Sequence, residues 1–448
     1  MPIRVNLPLV KEAATLLLLR QDGAVLWARR PARSSFLASF HVFPGGAREE
    51  SDPSPAHAAV RETREETGIE CPLEALVPAG RFLTPPFTPH GFDTHFFVAR
   101  APEGARVAIE DELHDAEWIE PAEALARWRR DEAILAAPTR IALEVLAREE
   151  NDVARVARAL AARAPAADDW SRRVELRPGI FVFPVRTPTL PPATHTNSIV
   201  VGDGRELVVI DPASPYPEER DALHALLREL EAEGRRVTAI LLTHRHVDHV
   251  SGADDLARRT GAPIVAHPLV KDALRGTVEV TRTIEDGSVI ELPAEAPRRT
   301  RRLRAVLTEG HARGHLAFLE ETSRTLVAGD MVAGFGWIII DPPEGDMKVY
   351  LDSLARLRAL DASLLLPAHG PPIGAPSTKL DEYVAHRLAR EAKVLAAFER
   401  GARDLASVVK LAYEDTPPQL HALASRSALA HLLKLEGEGK IPARSFSA

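Results

Sequence analysis

The apolar run Ala239–Leu242 leads directly into Thr-His-Arg-His-Val-Asp-His, which places His244, His246, Asp248 and His249 at the end of one expected buried strand. In an extended chain, residues two apart face the same side, so His244 and His246 can hold one metal together. A turn into a helix expected near Ser251 then aims Asp248 and His249 at a second. Three further groups each end an apolar run: His311 in EGHARGH, Asp330 in VAGD and His369 in PAHG. Seven nitrogen and oxygen ligands suit two zinc ions without a thiolate. That matters because Cys71 is the single cysteine, which excludes both a disulfide framework and a thiolate-rich zinc knuckle. Among 17 histidines some cluster by chance, and an isolated HxH is usually a surface or core feature. The ordered joint pattern is what carries the reading. His315, His195 and His267 read as structural.

A chain of 448 residues exceeds what one core usually organises, since cores tend to split beyond about 250 residues. Its first part has short β-rich runs (LLLLR, AVLWARR, FDTHFFVAR) around a helix expected over 55–67 and closed by Gly68. An Ala/Arg/Glu-rich helical stretch follows, and APAADD interrupts it. The middle part alternates strands (ELVVID, AILLTH, PIVAH, TLVAGD, SLLLPAH) with amphipathic helices, the pattern of layered α/β architecture. After Pro376 three helices are expected, near 378–400, 404–413 and 417–435. The expected division is therefore 1–165, 166–376 and 377–448, an α/β multidomain protein. The formal charge, 56 − 64 = −8, argues against bulk binding to nucleic acid or anionic membrane. The run Ala13–Leu19 is too short to span a bilayer and shows no cleavage pattern, so no export signal is expected and the localisation expected is cytoplasmic.

On HxHxDH and the later GH, GD and HG groups, residues 175–375 resemble the metallo-β-lactamase superfamily. That resemblance implies an αββα sandwich with metals at one rim. His244, His246 and His311 would bind the first zinc, Asp248, His249 and His369 the second, and Asp330 would bridge them. Two Zn²⁺ would lower the pKa of a shared water, giving hydroxide at neutral pH, with Asp248 orienting it. The segment TEGHARGH departs from the family, which often has Pro before the Gly and Thr after the His.

The last 60 or so residues, ending in LLKLEGEGKI, are similar to the winged-helix extension of the β-lactamase-like protein branch, whose animal members are endoribonucleases on single-stranded RNA. From Leu380 to Ala448 the charges are 10 basic against 9 acidic, a balance of +1 that gives little field for a phosphate backbone. A stronger basic signal is RRTRRLR, Arg298–Arg304, which either steers a phosphate-bearing substrate or forms a solvated edge.

Near the start, PAHAAVRETREETGI puts Glu62, Glu65 and Glu66 at i, i+3 and i+4, on one helical face. With HVFPGG before it, this resembles the Nudix box, over residues 8–150, and implies an α/β/α sandwich in which such a face binds Mg²⁺ or Mn²⁺ against a diphosphate. The form RSSFLASFHVFPGG looks closest to the branch containing peroxisomal coenzyme A diphosphatases. Departures are a loop one residue longer than usual, an early Glu absent or displaced to Asp52, and Thr63 in an aliphatic position. Glu112 is an additional candidate ligand.

The expectation is a two-headed metal-dependent hydrolase: dinuclear zinc acting on a small ester, thioester or phosphate, and a Nudix-like head that cleaves nucleoside diphosphate or CoA-type diphosphates, with Glu62, Glu65 and Asp248 catalytic. Its alternatives are a zinc-dependent endoribonuclease on single-stranded RNA and a metabolite-sensing binding protein. The partner expected is a small molecule, with RNA as the rival and no membrane; homodimerisation is left open.

Overall fold

The computed structural model describes residues 9–34, 36–86, 90–108, 113–149, 151–166, 169–171, 173–296 and 298–442. Its first sheet has seven strands, built around the parallel pair Leu9–Leu19 and His90–Arg100. Alternate residues of the first of these strands enter different cores. Leu17 and Leu19 pack with the helices Pro121–Arg129, Ala137–Leu146 and Val153–Ala161, whereas Leu16 and Leu18 pack on the side of helix Pro55–Thr67. Both faces of the sheet are thus covered, an α/β/α sandwich. Helix Pro55–Thr67 begins with proline at its first position and ends at Gly68, whose left-handed backbone sends its N–H back to the Arg64 carbonyl.

Two further sheets follow. The seven strands from Val174–Arg177 to Arg282–Thr283 form one, and the five from Val289–Leu292 to Leu364–Pro367 form the other. Leu241, Val208 and Ile199 of one and Leu303, Phe318 and Leu366 of the other share a single buried core between them. Helices such as Pro217–Ala232 and Ala253–Thr260 cover the outer face of the first, while Met347–Ala359 and Pro376–Glu399 cover that of the second. This is the αββα sandwich. The strand Arg236–Leu241 is central in its sheet and its apolar run is fully buried, so the chain leaving Leu242 emerges at the sheet rim. Asp248 and His249 lie in a four-residue helical turn, Val247–Val250, and the longer helix begins at Ala253.

Helices Pro376–Glu399, Leu405–Ala412 and His421–Gly437 close on a small core of their own around Val394, Val408 and Leu432. Among the described residues that unit contains no strand. The first and middle units also touch: Phe40 and Ile134 enter the core between the two middle sheets, and Trp128 Nε1 donates to the Leu176 carbonyl at 3.0 Å. No helix among the described residues is long and apolar enough to cross a membrane.

Candidate metal centre

Four segments at one rim of the sandwich bring seven side chains together in two groups. His244, His246, His311 and Asp330 form one, and Asp248, His249 and His369 the other, with ligand atoms in each group within 4.8 Å of one another. His246 Nδ1 faces His244 Nε2 at 3.0 Å and His311 Nε2 at 3.1 Å. Asp330 stands between the groups. Its Oδ2 is 3.5 Å from His311 Nε2, and its Oδ1 is 3.4 Å from the Nε2 atoms of both His249 and His369. Asp248 Oδ2 is 3.6 Å from His369 Nε2.

What orients the rings is a set of partners on their far sides. His311 Nδ1 donates to the Ile339 carbonyl at 2.9 Å, and His369 Nδ1 to the His195 carbonyl at 2.9 Å. A carbonyl only accepts, so each of these rings, in its neutral form, carries its proton on Nδ1 and turns an Nε2 lone pair inward. His249 Nδ1 meets the Asp211 carboxylate at 2.8 Å in the same manner. His246 is reversed: its Nε2 lies 3.4 Å from Glu344, leaving Nδ1 inward.

A divalent cation fits this pocket. His249 Nε2 and Asp330 Oδ1 are fully buried without a hydrogen-bond partner, a costly condition for polar atoms and one that a shared cation removes. The electrostatics agree. Burial pushes His311 down to about 4, and burial with His249 and His246 adjoining keeps His244 well below the usual histidine range, so both present neutral donors. Burial opposes charge on His249 as well, yet Asp330 and Asp211 outweigh it and hold that ring well above its usual range. For Asp330, burial is outweighed by His369 and His249, which hold it well below the usual carboxylate range. The pocket thus stabilises positive charge beside Asp330.

His315 lies outside both groups. It is buried, hydrogen-bonded through Nδ1 to Thr308 at 2.9 Å, and its Nε2 accepts the Asp330 N–H at 3.1 Å. His195 contributes its carbonyl, and His267 accepts the Leu269 N–H at the start of a helix.

Two supporting residues are absent from the sequence reading. Asp211 accepts the Thr243 N–H at 2.8 Å and hydroxyl at 2.6 Å as well as the His249 ring, so it ties the HxHxDH segment to the neighbouring strand. A signal for it existed: VVID ends an apolar run in a carboxylate, as VAGD does. Glu344 also pairs with Arg245, at 2.7 Å, but sits in a loop with no periodicity to mark it.

In the first domain the carboxylates are arranged differently. Glu66 is buried and accepts the Gly45 N–H at 2.9 Å, while the Glu62 carboxylate lies against Gly46 and accepts from Arg61 at 2.9 Å. Glu65 is half exposed and bonded to Arg61 at 2.9 Å. Among the described residues, the two groups at the middle rim are the ones whose ligand atoms converge; Glu62, Glu65 and Glu66 share a helix face but form no such group. Asp52 is buried and accepts from Arg61 at 2.9 Å, with the Glu49 N–H also on it, so here it anchors the loop. Glu112 lies outside the described residues.

Four of the arginines in 298–304 are paired with carboxylates. Arg301 is wholly buried between Asp131 and Glu320, Arg299 pairs with Asp131, Arg302 with Glu291 and Glu321, and Arg304 with Glu321.

Comparison with known proteins finds three family matches in order along the chain. Residues 10–137 match the NUDIX domain, 191–369 the metallo-beta-lactamase superfamily and 405–445 the beta-lactamase associated winged helix domain. A lactamase-like protein, adaB, of Aspergillus niger is 34% identical over 207 residues, which cover 46% of this chain and 59% of that protein. An atrochrysone carboxyl ACP thioesterase of Aspergillus chevalieri is 29% identical over 261 residues, covering 55% and 77%. The chain spans about three fifths of the length of the first curated relatives it matches. A beta-lactamase domain protein from Burkholderia ambifaria shares the fold, with a TM-score of 0.51 at 22% identity over 61% of this chain and 91% of its own. The chain therefore carries, in order, a NUDIX domain, a metallo-β-lactamase superfamily domain and a β-lactamase-associated winged helix domain.

Proposed function

We propose that the chain is a metal-dependent hydrolase whose middle domain, holding two zinc ions, cleaves a small thioester or ester, and whose first domain acts with Mg²⁺ or Mn²⁺ on an organic diphosphate. The observation that carries the reading is Asp330, whose Oδ1 faces His249 and His369 and whose Oδ2 faces His311, while neither Oδ1 nor His249 Nε2 makes a hydrogen bond. His244, His246 and His311 would hold one ion, Asp248, His249 and His369 the other, and Asp330 both. When bound, such ions supply Lewis acidity, which acidifies water and polarises a carbonyl oxygen.

The chain's own groups do the rest. Asp248 is the ligand-group carboxylate that does not stand between the two groups, so it can accept a proton from attacking water and return it to the leaving thiolate or alkoxide. Asp211, Glu344 and the carbonyls of His195 and Ile339 keep the rings from turning as charge develops. Thioester is favoured as the substrate class because a relative matched over 77% of its length is named an acyl-carrier thioesterase. Single-stranded RNA is less favoured, since the arginines that would track its phosphates are already paired with carboxylates.

The test is turnover by the zinc-loaded chain of acyl thioesters, simple esters and single-stranded RNA side by side, for the wild type and Asp248→Asn. Thioester cleavage that disappears in the variant is expected. Cleavage of RNA with inert thioesters would replace this reading with the nuclease one.

A further inference from the structure

A cavity of about 760 Å³ opens beside the glutamate helix of the first domain, and its wall is not made by that domain alone. Glu62, Glu66 and Arg30 line it from the first domain, but Ser171, Leu176 and Pro372 line it from the middle one. Arg30 is held from both sides by its backbone: its N–H donates to the Phe40 carbonyl at 2.9 Å, and its carbonyl accepts the Ser39 N–H at 3.1 Å. The guanidinium Nε of Arg30 is buried and has no hydrogen-bond partner. Among the described residues no carboxylate pairs with the Arg30 guanidinium, which leaves its charge available to an anion in the cavity. Phe36 and Phe92, with ring centroids 5.4 Å apart, give the same cavity an aromatic surface.

The middle-domain wall leads to the metal centre. Pro372 lies three residues beyond His369, and the intervening segment has little freedom. Asn197 donates to the carbonyls of Pro367 and Gly370, each at 2.9 Å, and the Gly334 N–H reaches the His369 carbonyl at 2.7 Å. At the far end, a Cβ on Gly374 would lie 2.0 Å from the Ala38 carbonyl oxygen, so the backbone there touches the Arg30–Phe40 loop directly. Cavity, loop and His369 segment form one continuous packed path.

We propose that this cavity is a single ligand site shared by the two domains, taking an organic phosphate whose phosphate meets Arg30 and whose apolar part lies on Phe36, Phe92, Leu176 and Pro372, so that its occupant is coupled to the segment carrying His369. Two carboxylates beside a phosphate require a divalent cation between them, which makes a diphosphate the best-suited head group. This rests on the first-domain reading above for the cation, and on geometry alone for the shared wall. Coupling is reciprocal: a ligand that changes zinc affinity must have its own affinity changed by zinc, by the same factor.

The experiment is calorimetry on the full chain with calcium in place of magnesium, so that binding is read without turnover, using ADP and inorganic pyrophosphate as probes. ADP should bind, and pyrophosphate should bind more weakly for want of the aromatic surface. Arg30→Gln should weaken ADP by about tenfold or more, the scale of a lost charge-assisted hydrogen bond, with Arg30→Lys in between. Ser171→Asp, which adds a negative charge from the middle-domain wall, should also weaken ADP, with an unchanged circular dichroism spectrum confirming the fold. Zinc-loaded and zinc-stripped chains should differ in ADP affinity by about fivefold or more. ADP affinity unchanged in Arg30→Gln, unchanged in Ser171→Asp, equal to that of pyrophosphate, or indifferent to zinc would each overturn the shared site. A chain that binds ADP in this manner but cleaves neither thioesters nor diphosphates would leave the site standing while removing the hydrolase reading.

Discussion

The histidine pocket of the middle domain and the glutamate helix of the first solve the same problem, holding acid and base ligands for a cation, by opposite routes. In the pocket, ligands come from four separate segments, and each inward-facing ring is fixed by a group that is not itself a ligand. On the helix, three carboxylates come from five residues of one element, and the cation beside them in the structure is Arg61, bonded to Glu62 and Glu65 at 2.9 Å each while its other side is on Asp52. Spacing on a helix guarantees a shared face; convergence on a point needs partners that aim each side chain. That difference predicts where metal should matter most to the fold and where a counter-charge already stands in for it.

The sharpest way to break the contrast is to take metal away. Removing zinc with a chelator should destabilise the middle domain by about 3–4 kcal/mol, the linkage expected when the ion had been present at 100 to 1,000 times its dissociation constant. Removing Mg²⁺ should barely move the first domain, whose carboxylates keep Arg61. Thermal melting with domain-resolved hydrogen exchange reads both. Equal sensitivity of the two domains would dissolve the distinction drawn here. His246→Ala and His249→Ala should each lower the zinc content of the purified chain, measured by metal analysis.

Next in size are the partners that aim the ligands. Asp211→Asn keeps the shape but weakens the hold on Thr243 and on the His249 ring, and should lower zinc affinity by about 10- to 100-fold, the usual cost of losing such an outer hydrogen bond. Glu344→Gln should fall lower in that range, because His246 meets Glu344 at 3.4 Å against 2.8 Å for His249 and Asp211. Competition with a coloured chelator measures both. Identical affinities to wild type would mean that the rings are held by packing.

Much of this pocket could be read in the amino-acid order, for a physical reason. A strand in the middle of a layered sheet must be apolar throughout, so the residue where its apolar run stops marks the rim; His244, Asp330 and His369 all sit at such stops. The αββα layering follows from the same alternation of buried runs and amphipathic helices, and the helix Pro55–Thr67 was marked by its own proline and glycine. What the order could not show is who stands behind the ligands. Asp211 and Glu344 act across 38 and 98 residues of chain, and the ion pairs that absorb Arg299, Arg301, Arg302 and Arg304 also join distant segments. A run of arginines reads as a basic patch until the facing carboxylates are placed. The seam between the first and middle units was likewise invisible, since Phe40 and Ile134 look like ordinary core residues of the first.

A smaller effect tests the counter-charge on the helix. Arg61→Gln leaves Asp52 buried with the Glu49 N–H and without its cation, and should cost the first domain about 1–3 kcal/mol, the price of an unsatisfied buried polar group, read by the domain's melting. The same variant should tighten Mg²⁺ binding at Glu62 and Glu65 by removing the competing guanidinium. Weaker Mg²⁺ binding would show instead that Arg61 positions those carboxylates for the ion.

The smallest expected effect is the one that asks whether the two sites are separate catalysts. Glu65 is half exposed and pairs with Arg61 and Arg64, all on the glutamate helix. Glu65→Gln should therefore remove Mg²⁺-dependent diphosphate cleavage while leaving zinc-dependent thioester turnover within about threefold, because substitutions at distant sites with no shared partner act additively to within a few tenths of a kcal/mol. Measuring both activities on one preparation fixes the ratio. Glu66→Gln is the informative companion, since Glu66 is buried, lines the cavity at the domain seam and holds the Gly45 N–H. If the seam transmits anything between the sites, zinc-dependent turnover should respond to Glu66→Gln and remain indifferent to Glu65→Gln; equal indifference would make the two hydrolytic sites independent, and an equal response would place the transmission in the helix as a whole.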